Sequence, residues 1–150
     1  MQKDPRHKSS PPMKVEILSL CDFAQAEPTG KLNLLGAFDH LFAKEAPVAR
    51  SVFAVAARLR FEGHEEGART VSVSLVDSDG KPVIPVLRAK FTVKIQPQES
   101  SATLNYVMVI PQIKFARFGD YQVDLAVDDK TEASIPLYVR QRTAPAAPGA

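Results

Sequence analysis

Apolar and polar positions alternate with a period of two through most of this chain, the pattern of strands with one buried face. The run over residues 119–129 is the clearest. Tyr121, Val123, Leu125 and Val127 share one face, and Gln122 and Asp124 the other. Residues 52–62 place Phe53, Val55, Ala57, Leu59 and Phe61 on one side and Arg58 and Arg60 on the other. Residues 70–76 alternate through Val71, Val73 and Leu75, and residues 89–95 through Phe91, Val93 and Ile95. Residues 102–110 do so through Leu104, Tyr106, Met108 and Ile110. The last run, 133–140, points Ile135, Leu137 and Val139 inward, and Pro136 puts it at an edge or leaves its N–H side unpaired there.

The two N-terminal runs are less regular. Residues 14–24 are apolar on both faces, Val15, Ile17, Cys21 and Phe23 against Leu18 and Leu20, which suits a strand covered on both sides. Residues 32–42 read as one run in which Gly36 marks a bulge or a close backbone approach. Turn residues separate the runs. Asp77-Ser78-Asp79-Gly80 is the strongest of these, since aspartates bond their own backbone and glycine accepts a positive φ. Residues 44–50, with Pro47, read as a loop, and a short helical turn is expected at most near 42–48 or 113–118. About eight short strands with tight turns predict an all-β antiparallel sandwich over residues 13–141. Residues 1–12 and 142–150 are too poor in apolar side chains to offset chain entropy and are expected to be disordered tails.

The composition fits this picture. A chain of 150 residues with 45% hydrophobic and 24% charged residues makes one ordinary domain. A net charge of +2 is too small to argue for nucleic acid or an anionic membrane. The single cysteine, Cys21, excludes an intrachain disulfide and favours a reducing compartment. The basic N-terminus is followed by no uninterrupted apolar run, so neither a signal peptide nor a membrane helix is expected, and the location read from this is cytoplasmic.

Two resemblances follow from particular residues. Gly119-Asp120-Tyr121-Gln122-Val123 resembles the tyrosine-corner region of immunoglobulin-like domains, in which the tyrosine precedes a core position by two residues. Val123 stands where antibody domains have cysteine, and the chain has no tryptophan, so the resemblance implies the general sandwich only. Leu20-Cys21-Asp22-Phe23-Ala24 and Gly30-Lys31-Leu32-Asn33-Leu34-Leu35-Gly36-Ala37-Phe38-Asp39 are similar to the N-terminal signature of a bacterial family known only as a domain of unknown function. Arg58-Leu59-Arg60-Phe61 and the segment from Val76 to Pro82 are similar to it as well. This second resemblance spans 13–141, implies a bacterial β-sandwich and carries no activity.

Candidate chemistry is sparse. Asp22 and Asp39 each follow an apolar segment, and His40 adjoins Asp39; together they could bind a cation or do acid–base work, or each could cap a turn. His64-Glu65-Glu66 and the acidic turns at Asp77, Asp79, Asp128 and Asp129 could offer metal ligands, but they suit polar turns equally. Cys21, among apolar neighbours, reads as an inert core thiol. Arg58, Arg60, Lys90 and Lys94 would make a basic face if their strands share a sheet, although few aromatic residues accompany them to stack bases. No metal or cofactor is expected. The expected function is a non-catalytic binding or structural module with a protein partner, or a homodimer paired by an edge strand or a sheet face. The alternatives are a metal-dependent or acid–base enzyme using Asp22, Asp39 and His40, and a weak nucleic-acid binder using the basic face.

Overall fold

The structure, a computed structural model, describes residues 13–143. The tail expected at 1–12 and most of the one expected after 141 lie outside these residues. Nine strands follow one another: β1 (Lys14–Ala26), β2 (Leu32–Phe38), β3 (His40–Ala43), β4 (Val48–Glu62), β5 (Gly67–Val76), β6 (Leu87–Val93), β7 (Ser101–Phe115), β8 (Gly119–Val127) and β9 (Lys130–Gln141). They form a four-stranded sheet in the order β2-β1-β4-β7 and a five-stranded sheet in the order β3-β9-β8-β5-β6. All pairings are antiparallel except β3 with β9. The all-β sandwich expected from the alternation is what the chain forms.

The alternating positions become the core. Phe53, Val55, Leu59 and Phe61 of β4 meet Val71, Val73 and Leu75 of β5, Val123 and Leu125 of β8, and Leu137 and Val139 of β9, all at 1% exposure or less. Each such side chain contributes roughly 1.5–3 kcal/mol by leaving water. Tyr121 packs its ring edge-on against Phe115 at 4.9 Å. Its hydroxyl donates to the Arg117 carbonyl at 2.6 Å and pins the β7–β8 connection.

Several boundaries differ from expectation. The run 32–42 is two strands, because the chain leaves one sheet at Phe38 and enters the other at His40. Strand β4 begins at Val48, inside the expected loop, and β7 runs on to Phe115. Neither expected helical turn forms. A 3-10 turn occurs instead at Gly63–Glu65, and no α-helix is present among the described residues. Pro136 is tolerated because β3 pairs with β9 only from Tyr138 onward, so that side of the strand is open at the proline. Arg142 still donates its N–H to the Ala43 carbonyl at 2.7 Å, one residue past the expected domain boundary.

Candidate functional site

The distinctive feature of the surface is built by β1 and β2. Within the sheet, Ile17 lies opposite Arg58, and Cys21 lies opposite both Ala54 and Ala37. A straight β1 would carry its end roughly 30 Å beyond Ile17. Yet the Gly30 carbonyl at the β1–β2 turn accepts hydrogen bonds from the Arg58 guanidinium at 3.2 Å and the Asn105 amide at 3.1 Å. The hairpin therefore folds back across the outer face of its own sheet. Cys21, Ala54 and Ala56 point outward from that sheet and are small, so the returning arm can approach closely. Ala24, Leu32 and Leu34 on the arm's lower face cover them, with Val107 beside. The covering expected for both faces of β1 is supplied by the chain itself as far as Cys21, while Phe23 beyond the bend stays exposed.

The bend is made at Asp22 and Gly36, which stand opposite each other. Gly36 takes φ +73°, and a Cβ there would lie 2.9 Å from Asp22 Cγ and 3.2 Å from Asp22 Cβ. The close approach read at this glycine is thus an approach to a side chain. Asp22 also accepts from Arg50 at 3.2 Å. Cys21 is fully buried under the arm, its thiol 3.8 Å from the Ala54 carbonyl. Burial, and then the Asp22 charge, raise the pKa of that thiol, as an inert core cysteine requires. The upper face of the arm presents the cross-strand pair Phe23 and Leu35, 56% and 67% exposed. Val52 and Val109, also exposed, point outward from the same sheet beside it.

The other residues singled out in the sequence have these places. Asp39 and His40 are together, Oδ1 to Nδ1 at 2.7 Å, and the His40 ring lies against Phe42 and Tyr138. Asp39 borders an open groove with Leu18, Phe38 and Ile135. Asp22 is engaged at the arm's bend instead, by Arg50 and Gly36. No group of three metal-competent side chains converges among the described residues.

The basic face does not form. Arg58 and Arg60 belong to β4 in one sheet, while Lys90 belongs to β6 in the other and Lys94 follows it. Both arginines are engaged by Glu16, which occupies the bulge where β1 shifts register against β4. The hydrogen bond from Arg60, reinforced by the charges of Arg60 and Arg58, lowers the Glu16 pKa.

The acidic residues at the turns serve the backbone. Glu65 is buried, and its carboxylate accepts the N–H of Met13 at 2.7 Å and of Glu62 at 2.8 Å. Glu66 accepts the Ile95 N–H at 2.7 Å. Asp77 accepts from the N–H groups of Asp79 and Lys81, both at 2.9 Å, and closes the turn expected there. Asp128 accepts from the Thr70 N–H at 3.0 Å and from Arg69 at 2.9 Å, so β8 is tied to β5 beyond their ladder. These bonds hold the Asp128 carboxyl below the usual carboxylate range, the Thr70 N–H contributing most. A depressed folded-state pKa gives stability that is present above the ordinary aspartate value and is lost as pH falls through the folded one. Asp128→Asn is therefore expected to be less stable than the wild type at neutral pH and to converge with it at low pH. Urea titrations at a series of pH values read this, and a gap independent of pH would contradict it.

The family model described as Family of unknown function (DUF6941) matches residues 16–140, and the chain belongs to that family. No curated protein matches the chain. Among solved structures it resembles the alkylpurine DNA glycosylase AlkC of Pseudomonas fluorescens, bound to DNA containing an abasic site analogue. That alignment has 12% identity and a TM-score of 0.50 over 85% of this chain and 30% of the other. A β-glucosidase from Listeria innocua in complex with isofagomine aligns at 11% identity and TM-score 0.48, over 85% of this chain and 16% of the enzyme. A glycosyl hydrolase family 2 member from Bacteroides cellulosilyticus aligns at 16% identity and TM-score 0.39, over 61% and 13% respectively. The chain spans less than a third of each of these proteins, and the likeness to the first is one of fold alone.

Proposed function

We propose that this member of a family of unknown function is a non-catalytic, immunoglobulin-like binding module of the bacterial cytoplasm that acts through protein–protein contact. The observation that carries the reading is the outer side of the four-stranded sheet. Phe23, Leu35, Val52 and Val109, four large apolar side chains that a folded chain gains by covering, all stand exposed there. Most of the polar side chains that could have formed a reacting centre are spent on the fold, and Asp39 and His40 bond each other. Asp22 sits at the arm's bend, Glu16 between two arginines, and Glu65, Glu66, Asp77 and Asp128 on backbone N–H groups.

The immunoglobulin-like part of the reading is supported by strand order and by Tyr121. With β1, β4 and β7 taken as strands A, B and E, and β5, β8 and β9 as C, F and G, the sheets follow A-B-E and C-F-G. Tyr121, near the start of the F-like strand, bonds back to the backbone four residues upstream, as a tyrosine corner does.

The test is affinity capture from the native cell with the full chain as bait, beside a Phe23→Ser, Leu35→Ser variant. Both side chains are exposed, so the variant is expected to melt within a few degrees of the wild type. A protein held by the wild type and recovered at least tenfold less with the variant is the expected result. A protein captured equally by both, or none captured by either, contradicts the reading.

A further inference from the structure

The two sheets have four edge strands, β2, β7, β3 and β6. An edge strand offers unpaired main-chain groups to any other strand, and folded proteins guard it by shortness, charge, proline or distortion. Three of the four are guarded here. Strand β3 has four residues. Strand β2 is bent onto its own sheet at Gly36. Strand β6 carries Arg88 and Lys90 and is preceded by Pro82 and Pro85.

Strand β7 is different. It has 15 residues, and from Ser101 to Ile113 none is charged. Its ladder with β4 is regular from Ser101 opposite Glu62 to Pro111 opposite Val52. Pro111 has no N–H to give β4, so its main-chain groups face away from that strand. The alternation of an antiparallel ladder then turns those of Val109, Val107, Asn105 and Thr103 outward as well. Thr103, Tyr106, Val107, Val109 and Ile110 are residue types that favour strands. Beyond Pro111 the edge is interrupted by Gln112 at φ +35° and by Lys114.

We propose that β7 pairs with β7 of a second copy of this chain, antiparallel about a two-fold axis at Tyr106, joining the two four-stranded sheets into one of eight strands. This names the partner of one surface and rests on the reading of the chain as a protein-binding module. The occupant is argued from charge and symmetry. An antiparallel self-pair sets each residue against a residue of the same segment, which is tolerable only where no like charges meet, and residues 101–113 have none. Centring on Tyr106 sets Thr103 against the copy's Val109, and Asn105 against its Val107. The four outward positions from Thr103 to Val109 on each strand are used, giving about eight main-chain hydrogen bonds. Val109, 59% exposed in the isolated chain, is covered by the pairing.

The experiment is sedimentation equilibrium of the full chain and two variants, with circular dichroism to show that each is folded. The wild type is expected at twice the chain mass. Thr103→Lys with Val109→Lys sets lysine against lysine in this register and is expected at the chain mass. Thr103→Lys with Val109→Glu sets lysine against glutamate and is expected to return to the dimer. A wild type that stays at the chain mass overturns the proposal. So does a dimer undisturbed by the paired lysines, or a glutamate variant that fails to re-associate. A monomer that still captures a protein through Phe23 and Leu35 overturns this pairing while the module reading stands. A dimer that captures nothing does the reverse.

Discussion

Replacing Glu65 by alanine is expected to lower the stability of the sandwich by about 2–4 kcal/mol, because two main-chain donors lose their acceptor at once. The Met13 N–H donates to one carboxylate oxygen at 2.7 Å and the Glu62 N–H to the other at 2.8 Å, with the side chain 8% exposed. Met13 is itself buried, so water does not readily replace the lost partner. The carboxylate thus ties the start of the described chain to the end of β4, one residue beyond the β1–β4 ladder. A loss of this size is a large share of the roughly 5–15 kcal/mol that keeps a domain folded. Urea unfolding should show a lowered midpoint at unchanged slope. Glu65→Gln keeps one acceptor oxygen and should fall between the alanine variant and the wild type. His64→Ala, beside it in the turn, should change little. A loss under about 0.5 kcal/mol for Glu65→Ala would show that the two donors find other partners.

Glu65 also shows where sequence reasoning stops. In the chain it is one of three polar residues at the turn between β4 and β5, and nothing local distinguishes it from a solvated turn. Its burial is tertiary, made when Met13 arrives from a segment 52 residues away. The basic face failed for a related reason. Alternation assigns Arg58, Arg60 and Lys90 to faces of their own strands but does not say which strands share a sheet, and β4 and β6 do not. Where a signal is local it was legible. The period of two located the core of β4, β5, β8 and β9. Asp77 and Gly80 announced their turn, and Pro136 its unpaired side. The two-sided apolar pattern of β1 was legible as a covered strand, but not the identity of the cover. A hairpin that returns over its own sheet and one that runs straight on have the same alternation, and only Gly36 hints at the difference.

That hint can be turned into a measurement. In Gly36→Val, a β-branched residue would have to hold φ near +73°, where a side chain costs about 1–2 kcal/mol even without a clash. Its Cβ would also press on Asp22, whose neighbour Cys21 is bound on both sides by the β1 ladders. The main core lies on the opposite face of the sheet, so the strain should be relieved by the arm lifting rather than by the sandwich unfolding. Cys21, the only cysteine, lies beneath the arm and reports the lifting. If the closed arm loses about 2 kcal/mol, its open population rises roughly thirtyfold, and the rate of thiol labelling in the native protein rises with it. Far-ultraviolet circular dichroism should be almost unchanged. Asp22→Ala in the same chain removes the contact with the carboxyl group, leaving the 3.2 Å approach to Cβ, and sacrifices only an exposed ion pair with Arg50, worth about 0–1 kcal/mol. The double variant should therefore label more slowly than Gly36→Val alone, the non-additivity expected of two positions in contact. Labelling that matches the wild type in Gly36→Val, or a double variant that labels faster still, would mean that the arm is not held closed at this bend.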